Sequence, residues 1–200
     1  EMSTYLRDKI MDSLGTIFSQ TQKCRAWLSD VGALIWACQP RDLKQAFMWT
    51  TPLGLIVRQP YRAASETHMF TPVGYTKISG SMLEPASAKQ LSALAPNLIH
   101  SLDATHLAMT ALEMTNQNKS MMAVHDSYWT HACDLPSLSR ILREQFVDLY
   151  THYDPLSEIR SQWEEQFYTD LRRHGVRLPE PPERGSLDLK EVLKSDYFFS

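Results

Sequence analysis

An α+β fold, with amphipathic helices packed around small antiparallel β-hairpins, is what two features of the sequence predict. Apolar residues recur at three- and four-residue steps over most of the chain, which is helical spacing. Two segments, 47 to 61 and 120 to 132, break that period with β-branched and aromatic residues gathered around turn signals.

Residues 3 to 36 open the chain as helix. Leu6, Ile10, Leu14, Ile17 and Phe18 form one apolar set, and Trp27, Leu28, Val31, Leu34 and Ile35 a second. "FMWTTPLGLIVRQPY", residues 47 to 61, places a Pro-Leu-Gly turn between two strand-like runs and predicts a β-hairpin. Residues 62 to 95 are rich in Ser, Thr, Ala, Gly and Pro, and read as a loop with one short strand-like piece over 68 to 78. Pro96 and Asn97 open a long helix through about residue 116, with Leu98, Ile99, Leu102, Met109 and Leu112 as its stripe. A strand-turn-strand over 120 to 132 centres on His125-Asp126-Ser127. Two amphipathic helices follow, over 135 to 150 and 156 to 174. Their Arg140/Glu144 and Arg160/Glu164 pairs read as a solvated face worth a few tenths of a kcal/mol each. "LPEPPERG" (178 to 185) is an extended connector, and Ser186 with Asp188 starts a short helix through residue 193. The terminal "SDYFFS" is aromatic where tails are usually polar, so it is expected to dock.

Composition bounds the function. Two hundred residues, 43% hydrophobic and 22% charged, bury a real core and make one domain or two small ones. A formal net charge of -3 gives no electrostatic case for a polyanionic partner, so that case must come from motifs. Cys24, Cys38 and Cys133 are neither a disulfide framework nor a CxxC metal site, and imply a reducing compartment. No apolar run approaches the roughly 20 residues of a membrane span, and the opening "EMSTYLRDKI" resembles neither a signal nor a transit peptide.

Three groups of residues carry candidate chemistry. His100, Asp103 and His106 sweep an arc of roughly 120° on a helix. Zinc prefers i,i+4 pairs and no Cys or Glu nearby completes a set, so a face of hydrogen-bonding residues directed at a ligand or nucleic-acid backbone fits better, with a polar helix surface as the plain alternative. Ser127, His125 and Asp126 do not make a hydrolytic triad, because adjacent strand residues point to opposite faces; Cys133 reads as a small core residue. Asp126 is the sharper case. The apolar run "MMAVHDSYW" reads as a buried strand, and a buried carboxylate needs a partner. That partner is either a metal ion, as in two-metal phosphoryl transfer, or turn amides, and pattern alone does not choose.

"PNLIHSLDATH" (96 to 106), "AVHDSYWTHA" (123 to 132) and "LKSDYFFS" (193 to 200) together resemble the C-terminal part of the single-subunit, bacteriophage-type RNA polymerases, nearest to the mitochondrial branch. "WTTPLGLIVRQPY" (49 to 61) fits the hairpin ahead of that family's promoter-reading loop. The resemblance implies the later fingers and palm of a right-hand polymerase: 1 to 95 as fingers-side helices, hairpin and specificity-loop-like segment, and 96 to 200 as palm with a C-terminal foot. It implies that Asp126 is one of two aspartates binding a pair of Mg²⁺ ions, that His125 supports the hairpin beside the RNA 3′ end, and that His100, with Asn97 and Asp103 on the same helix, faces the template-product duplex. Tyr197, Phe198, Phe199 and Ser200 would form the foot. The family's first catalytic aspartate and its nucleotide-selecting helix lie upstream of every matched motif, so these residues alone are expected not to polymerise.

DNA template, nascent RNA, ribonucleoside triphosphates and the remainder of the polymerase are the implied partners, with mitochondrial transcription factors beside them, no membrane, and the mitochondrial matrix as location. Two other readings compete. One is a non-catalytic relic serving as a structural subunit of a mitochondrial assembly. The other is a polymerase I-like DNA polymerase, whose His-Asp turn continues with Glu where Ser127 stands here.

Overall fold

The computed structural model describes residues 2–63, 66–72, 74–79, 85–124 and 127–198. Helix α1 (Met2–Ile17) leads into α2 (Ser19–Cys38). The single predicted helical stretch is thus two, parted at Phe18, and the apolar side chains Tyr5, Leu6, Ile10 and Ile17 of α1 are more than half exposed. Strands β1 (Met48–Thr50) and β2 (Ile56–Arg58) form the predicted hairpin, with Trp49 opposite Val57. Its loop closes through Gly54 N–H to Thr51 O (2.8 Å) and Thr51 N–H to Leu55 O (2.9 Å). Gly54 has φ +84°, the left-handed conformation that glycine adopts without strain, so Pro52-Leu53-Gly54 makes a three-residue turn.

Strands β3 (Glu66–Thr71) and β4 (Gly74–Ser79) then pair in register from Glu66↔Ser79 to Thr71↔Gly74. The expected loop with one strand-like piece is therefore a second hairpin. Short α3 (Ser87–Ser92) precedes α4 (Leu94–Asn116), which begins two residues before Pro96. Proline is tolerated there because the first-turn N–H groups have no intrahelical partner. α4 ends on Asn118 at φ 53°, with Lys119 N–H reaching back to Met114 O at 2.9 Å, a left-handed cap. Strands β5 (Met122–Val124) and β6 (Ser127–Trp129) form a third hairpin. Then come α5 (Leu135–His152), α6 (Pro155–Gln166) and α7 (Tyr168–His174). The predicted last helix is divided at Phe167, which leaves helical geometry (φ -107°, ψ 17°) and is 1% exposed. Gly175 (φ +63°) closes α7, and a 3-10 turn over Leu189–Lys194 carries the Asp188 cap expected near it.

The main core joins α2 (Trp27, Leu28, Val31, Ile35), Phe47 and Trp49 at β1, Leu94 and Leu98 of α4, Ile159 and Trp163 of α6, Phe167, Leu171 and Leu178. A second cluster joins Met114 of α4 to Leu138, Ile141 and Leu142 of α5, with Met121, Tyr128 and Phe198 against it. α6 also seals the free edge of β1. The Gln162 side-chain amide accepts from Thr50 N–H (2.7 Å) and donates to Thr50 O (3.1 Å); Trp163 Nε1 donates to Met48 O (2.9 Å) and Gln166 Nε2 to Ala46 O (3.0 Å). Side chains thus stand in for a third strand, which an isolated two-stranded hairpin needs to persist.

A buried amide network ties that hairpin to the start of α4. Gln90 is fully buried and Gln59 is 1% exposed. Gln90 Nε2 donates to the carbonyls of Gln59 (3.2 Å) and Tyr61 (2.9 Å), while Gln59 Nε2 donates to Gln90 O (2.8 Å) and Gln90 Oε1 (3.2 Å). Phe47 N–H also donates to Gln90 Oε1 at 3.4 Å. Leucine at position 90 conserves bulk and strands these partners, so Gln90→Leu is expected to cost about 2–4 kcal/mol. Urea unfolding measures it; an unchanged midpoint would contradict the network's role.

Candidate active site

The β5–β6 hairpin is built on the second cluster. Its register sets Met122 opposite Trp129, Ala123 opposite Tyr128 and Val124 opposite Ser127. One face presents Ala123 and Tyr128 inward, with Tyr128 packed on the α4–α5 cluster. The other face carries Met122 (55% exposed), Val124 (46%) and Trp129 (51%) outward. The expectation of a buried strand is therefore corrected: alternation leaves half of it uncovered within this chain. His125 and Asp126 lie outside the described residues.

The hairpin's two ends are held together at its base. Lys119, just before β5, pairs with Asp134, just after β6, at 2.5 Å, and Thr130 Oγ1 donates to Ser120 O at 2.6 Å. The hydrogen bond from Lys119 holds the Asp134 carboxyl below its ordinary range. Neither residue was singled out in the sequence, where they are 15 positions apart with only their bracketing of the hairpin as a signal.

The three candidate residues of α4 part company. His100 and Asp103 are exposed, whereas His106 is 6% exposed. The His106 Nε2–H donates to Leu142 O at 2.8 Å, since a carbonyl can only accept. Asn97, a turn before His100, is half-buried and commits its amide to Gln59 Oε1 (3.0 Å) and the Tyr61 hydroxyl (3.2 Å). Among the described residues no three His, Cys, Asp or Glu side chains group as a metal site.

The terminal segment docks where aromatic residues meet. Phe198 sits edge-on to Phe146 of α5 (centroids 5.1 Å apart) and under the Arg143 guanidinium at 6.0 Å. Phe146 in turn meets His106 edge-on at 5.8 Å. Tyr197 points outward, 85% exposed, and Phe199 and Ser200 lie outside the described residues. Farther back, Arg184 donates to Tyr150 O and the 3-10 turn packs on α5, holding the connector down. The structure also moves two residues from their expected places. Cys133 is exposed, being on a 3-10 turn at the surface. Arg160 is only 21% exposed: it donates to Leu178 O (3.1 Å) and pairs with Glu180 (3.0 Å) as well as Glu164 (3.2 Å), so it pins the connector rather than decorating a solvated face.

Burial lowers the His106 pKa from its ordinary 6.5, with the Leu142 hydrogen bond and Asp103 acting weakly against it. The folded chain therefore holds this imidazole neutral while the unfolded chain takes up a proton below about pH 6.5. Stability is expected to fall as pH drops from about 6.5 toward the folded pKa, by at most about 1.4 kcal/mol per pH unit from this group. His106→Gln, measured by denaturation at pH 7.5 and 5.5, should flatten that fall; an unchanged slope would contradict it.

A family model described as DNA-dependent RNA polymerase matches residues 1–177. The chain is 37% identical over 196 residues to the mitochondrial DNA-directed RNA polymerase 1B of Nicotiana tabacum, covering 98% of this chain and 18% of that protein. To the mitochondrial DNA-directed RNA polymerase of Schizosaccharomyces pombe it is 35% identical over 232 residues, 100% of this chain and 20% of that protein. To the chloroplastic/mitochondrial polymerase 2B of Nicotiana tabacum it is 36% identical over 196 residues, 98% and 18% respectively. The chain thus spans about a fifth of the length of these relatives.

Proposed function

The chain belongs to the DNA-dependent RNA polymerase family, of the single-subunit phage type found in organelles, and from that premise we propose that it is the C-terminal catalytic portion of such an enzyme. The observation that carries the reading is the family match across 1–177, which takes in α4 and the β5–β6 hairpin. In this reading the chain contributes to template-directed ribonucleotidyl transfer in the mitochondrial matrix. DNA template, nascent RNA and ribonucleoside triphosphates are its ligands, and residues outside these 200 complete the site. The division into fingers-side residues 1 to 95 and a palm with foot over 96 to 200 belongs to the same proposal.

Asp126 is the residue that would hold magnesium. A carboxylate oxygen is the donor that this hard cation takes, and in this reading Asp126 supplies one ligand of a set that residues elsewhere in the polymerase complete. When bound, the metal pair lowers the pKa of the attacking 3′-hydroxyl and neutralises charge on the triphosphate. The protein's own part is positional. The Lys119–Asp134 pair and the Thr130–Ser120 hydrogen bond fix the hairpin's base, and Tyr128 fixes its inner face. In this reading His125 supports the same hairpin beside the RNA 3′ end. His100 and Asp103 are exposed on α4 and free to meet a duplex, where contacts read shape and backbone. Asn97 acts from behind them by fixing the first turn of α4 to Gln59 and Tyr61. The foot, Tyr197 to Ser200, braces α5 through Phe198.

Asp126→Asn keeps size and removes the charge. In the enzyme assembled with the rest of its polymerase it is expected to lower nucleotide addition by at least about 10³-fold, as loss of a principal electrostatic group does, while template binding stays within about twofold. Single-nucleotide primer extension and a filter-binding assay separate the two. Retained extension would sink the metal assignment.

A further inference from the structure

Arg143 of α5 carries a charge that no carboxylate among the described residues takes up. Its neighbour Arg140 is committed, pairing with Glu144 at 2.5 Å and reaching Gln117. Arg143 makes no ion pair or hydrogen bond among the described residues, and its Nε is a buried donor left without a partner. What the guanidinium does meet is the ring of Phe198, 6.0 Å from its centroid. Burying a donor without a hydrogen bond is costly and persists where another interaction offsets it. A cation held against an aromatic face away from water is such an interaction.

Phe198 is gripped from two sides. Phe146 follows Arg143 by three residues, which puts both on one side of α5, and it meets the Phe198 ring edge-on at 5.1 Å with the planes 73° apart. Phe146 is itself fixed, tilted against Tyr150 at 4.8 Å and edge-on to the buried His106 at 5.8 Å. Past the 3-10 turn that packs on α5, Ser195 spends its hydroxyl on Tyr197 O and Tyr197 points outward, 85% exposed. Phe198 is therefore the anchor of the terminal segment.

That anchor lands where the β5–β6 hairpin rests. Phe198 and Tyr128 pack against the same cluster, Met114 with Leu138, Ile141 and Leu142. Three of those four side chains come from α5, the helix of Arg143 itself. Close-packed interiors pass displacements on, so a shift of Phe198 is felt at Tyr128.

We propose that Arg143 is a positioning residue for the polymerase reaction: it clamps Phe198 onto this cluster, and the clamped ring steadies the surface that carries Tyr128 and the hairpin. It acts through those two side chains and touches no reacting atom. The proposal rests on the reading of the chain as the catalytic portion of a polymerase.

The test uses the enzyme assembled with the rest of its polymerase. Arg143→Met keeps the length of the side chain and removes its charge. Hydrogen exchange read by mass spectrometry should then run about tenfold faster over residues 189 to 198, the scale of a desolvated cation–π contact, while α2 in the main core exchanges as before. The kcat for single-nucleotide extension should fall at least about threefold with the nucleotide KM within about twofold, because small displacements at a reacting centre cost rate. Arg143→Lys retains a cation and should recover most of both losses. Phe198→Leu removes the ring and should reproduce them, and adding Arg143→Met to it should cost little more, since the pair acts as a unit. An unchanged kcat in Arg143→Met, a Lys variant as slow as the Met variant, losses that multiply in the double variant, or exchange that quickens equally in α2 each overturns the proposal. The exchange measurement needs no nucleotide addition. Unaltered exchange over 189 to 198 thus sinks the clamp and leaves the Asp126 assignment standing, whereas extension retained by Asp126→Asn sinks that assignment and leaves the hold on Phe198 standing.

Discussion

The fold depends on one side chain, Trp163. It is fully buried, its ring lies 5.3 Å from that of Phe47, and its indole N–H donates to Met48 O at 2.9 Å. This closes a loop of 115 residues between the first hairpin and α6. Truncating such a residue costs about 3–5 kcal/mol in cavity and transfer terms, a large share of the roughly 5–15 kcal/mol that holds a domain together. The contact also sets geometry. With Gln162 and Gln166 on either side, Trp163 fixes where β1 lies. β1 fixes β2, β2 leads into Gln59, and the Gln59–Gln90–Asn97 network fixes the first turn of α4. α4 in turn carries His100 and Asp103 and, at its far end, the Lys119 that clasps the β5–β6 hairpin.

Much of this scaffold was legible. Helical periodicity located α2, α4 and α5, and the Pro-Leu-Gly signal located the first hairpin, because both rest on local spacing. The misses share a cause: their determinants are not local. β3 and β4 pair six residues each from a stretch whose Ser, Thr and Gly content looks like loop, since cross-strand partners such as Phe70 and Tyr75, 5.3 Å apart, count only once the chain has folded back. The break at Phe167 has no Gly or Pro to announce it. It exists because Phe167 turns into the core against Phe47, with ring centroids 5.6 Å apart.

The candidate site divides the same way. The aromatic tail was legible as a docking segment, which Phe198 fulfils, whereas His125 and Asp126 lie outside the described residues. The role of Asn97 was not legible, because its partners Gln59 and Tyr61 are 38 and 36 positions away. His100, Asp103 and His106 look equivalent by spacing, yet packing of α5 on α4 buries only the last, which spends its N–H on Leu142. Charge was the least legible property. A net -3 conceals a cleft with Lys44, Arg58 and Arg62 on its walls, and hides that Arg160 is a brace for the connector.

The central functional claim is that the segment between Val124 and Ser127 brings a carboxylate to a divalent metal. Ferrous ion substituted for magnesium, given hydrogen peroxide and ascorbate, reduces the peroxide to hydroxide and a hydroxyl radical that cuts backbone within a few ångströms of where the ion is held. In the enzyme assembled with its remaining polymerase residues, with template and primer bound, mass spectrometry should find cleavage concentrated within residues 122 to 129 and suppressed by excess magnesium. Cleavage scattered over the chain, or absent from that hairpin while the enzyme extends primers, would contradict the account.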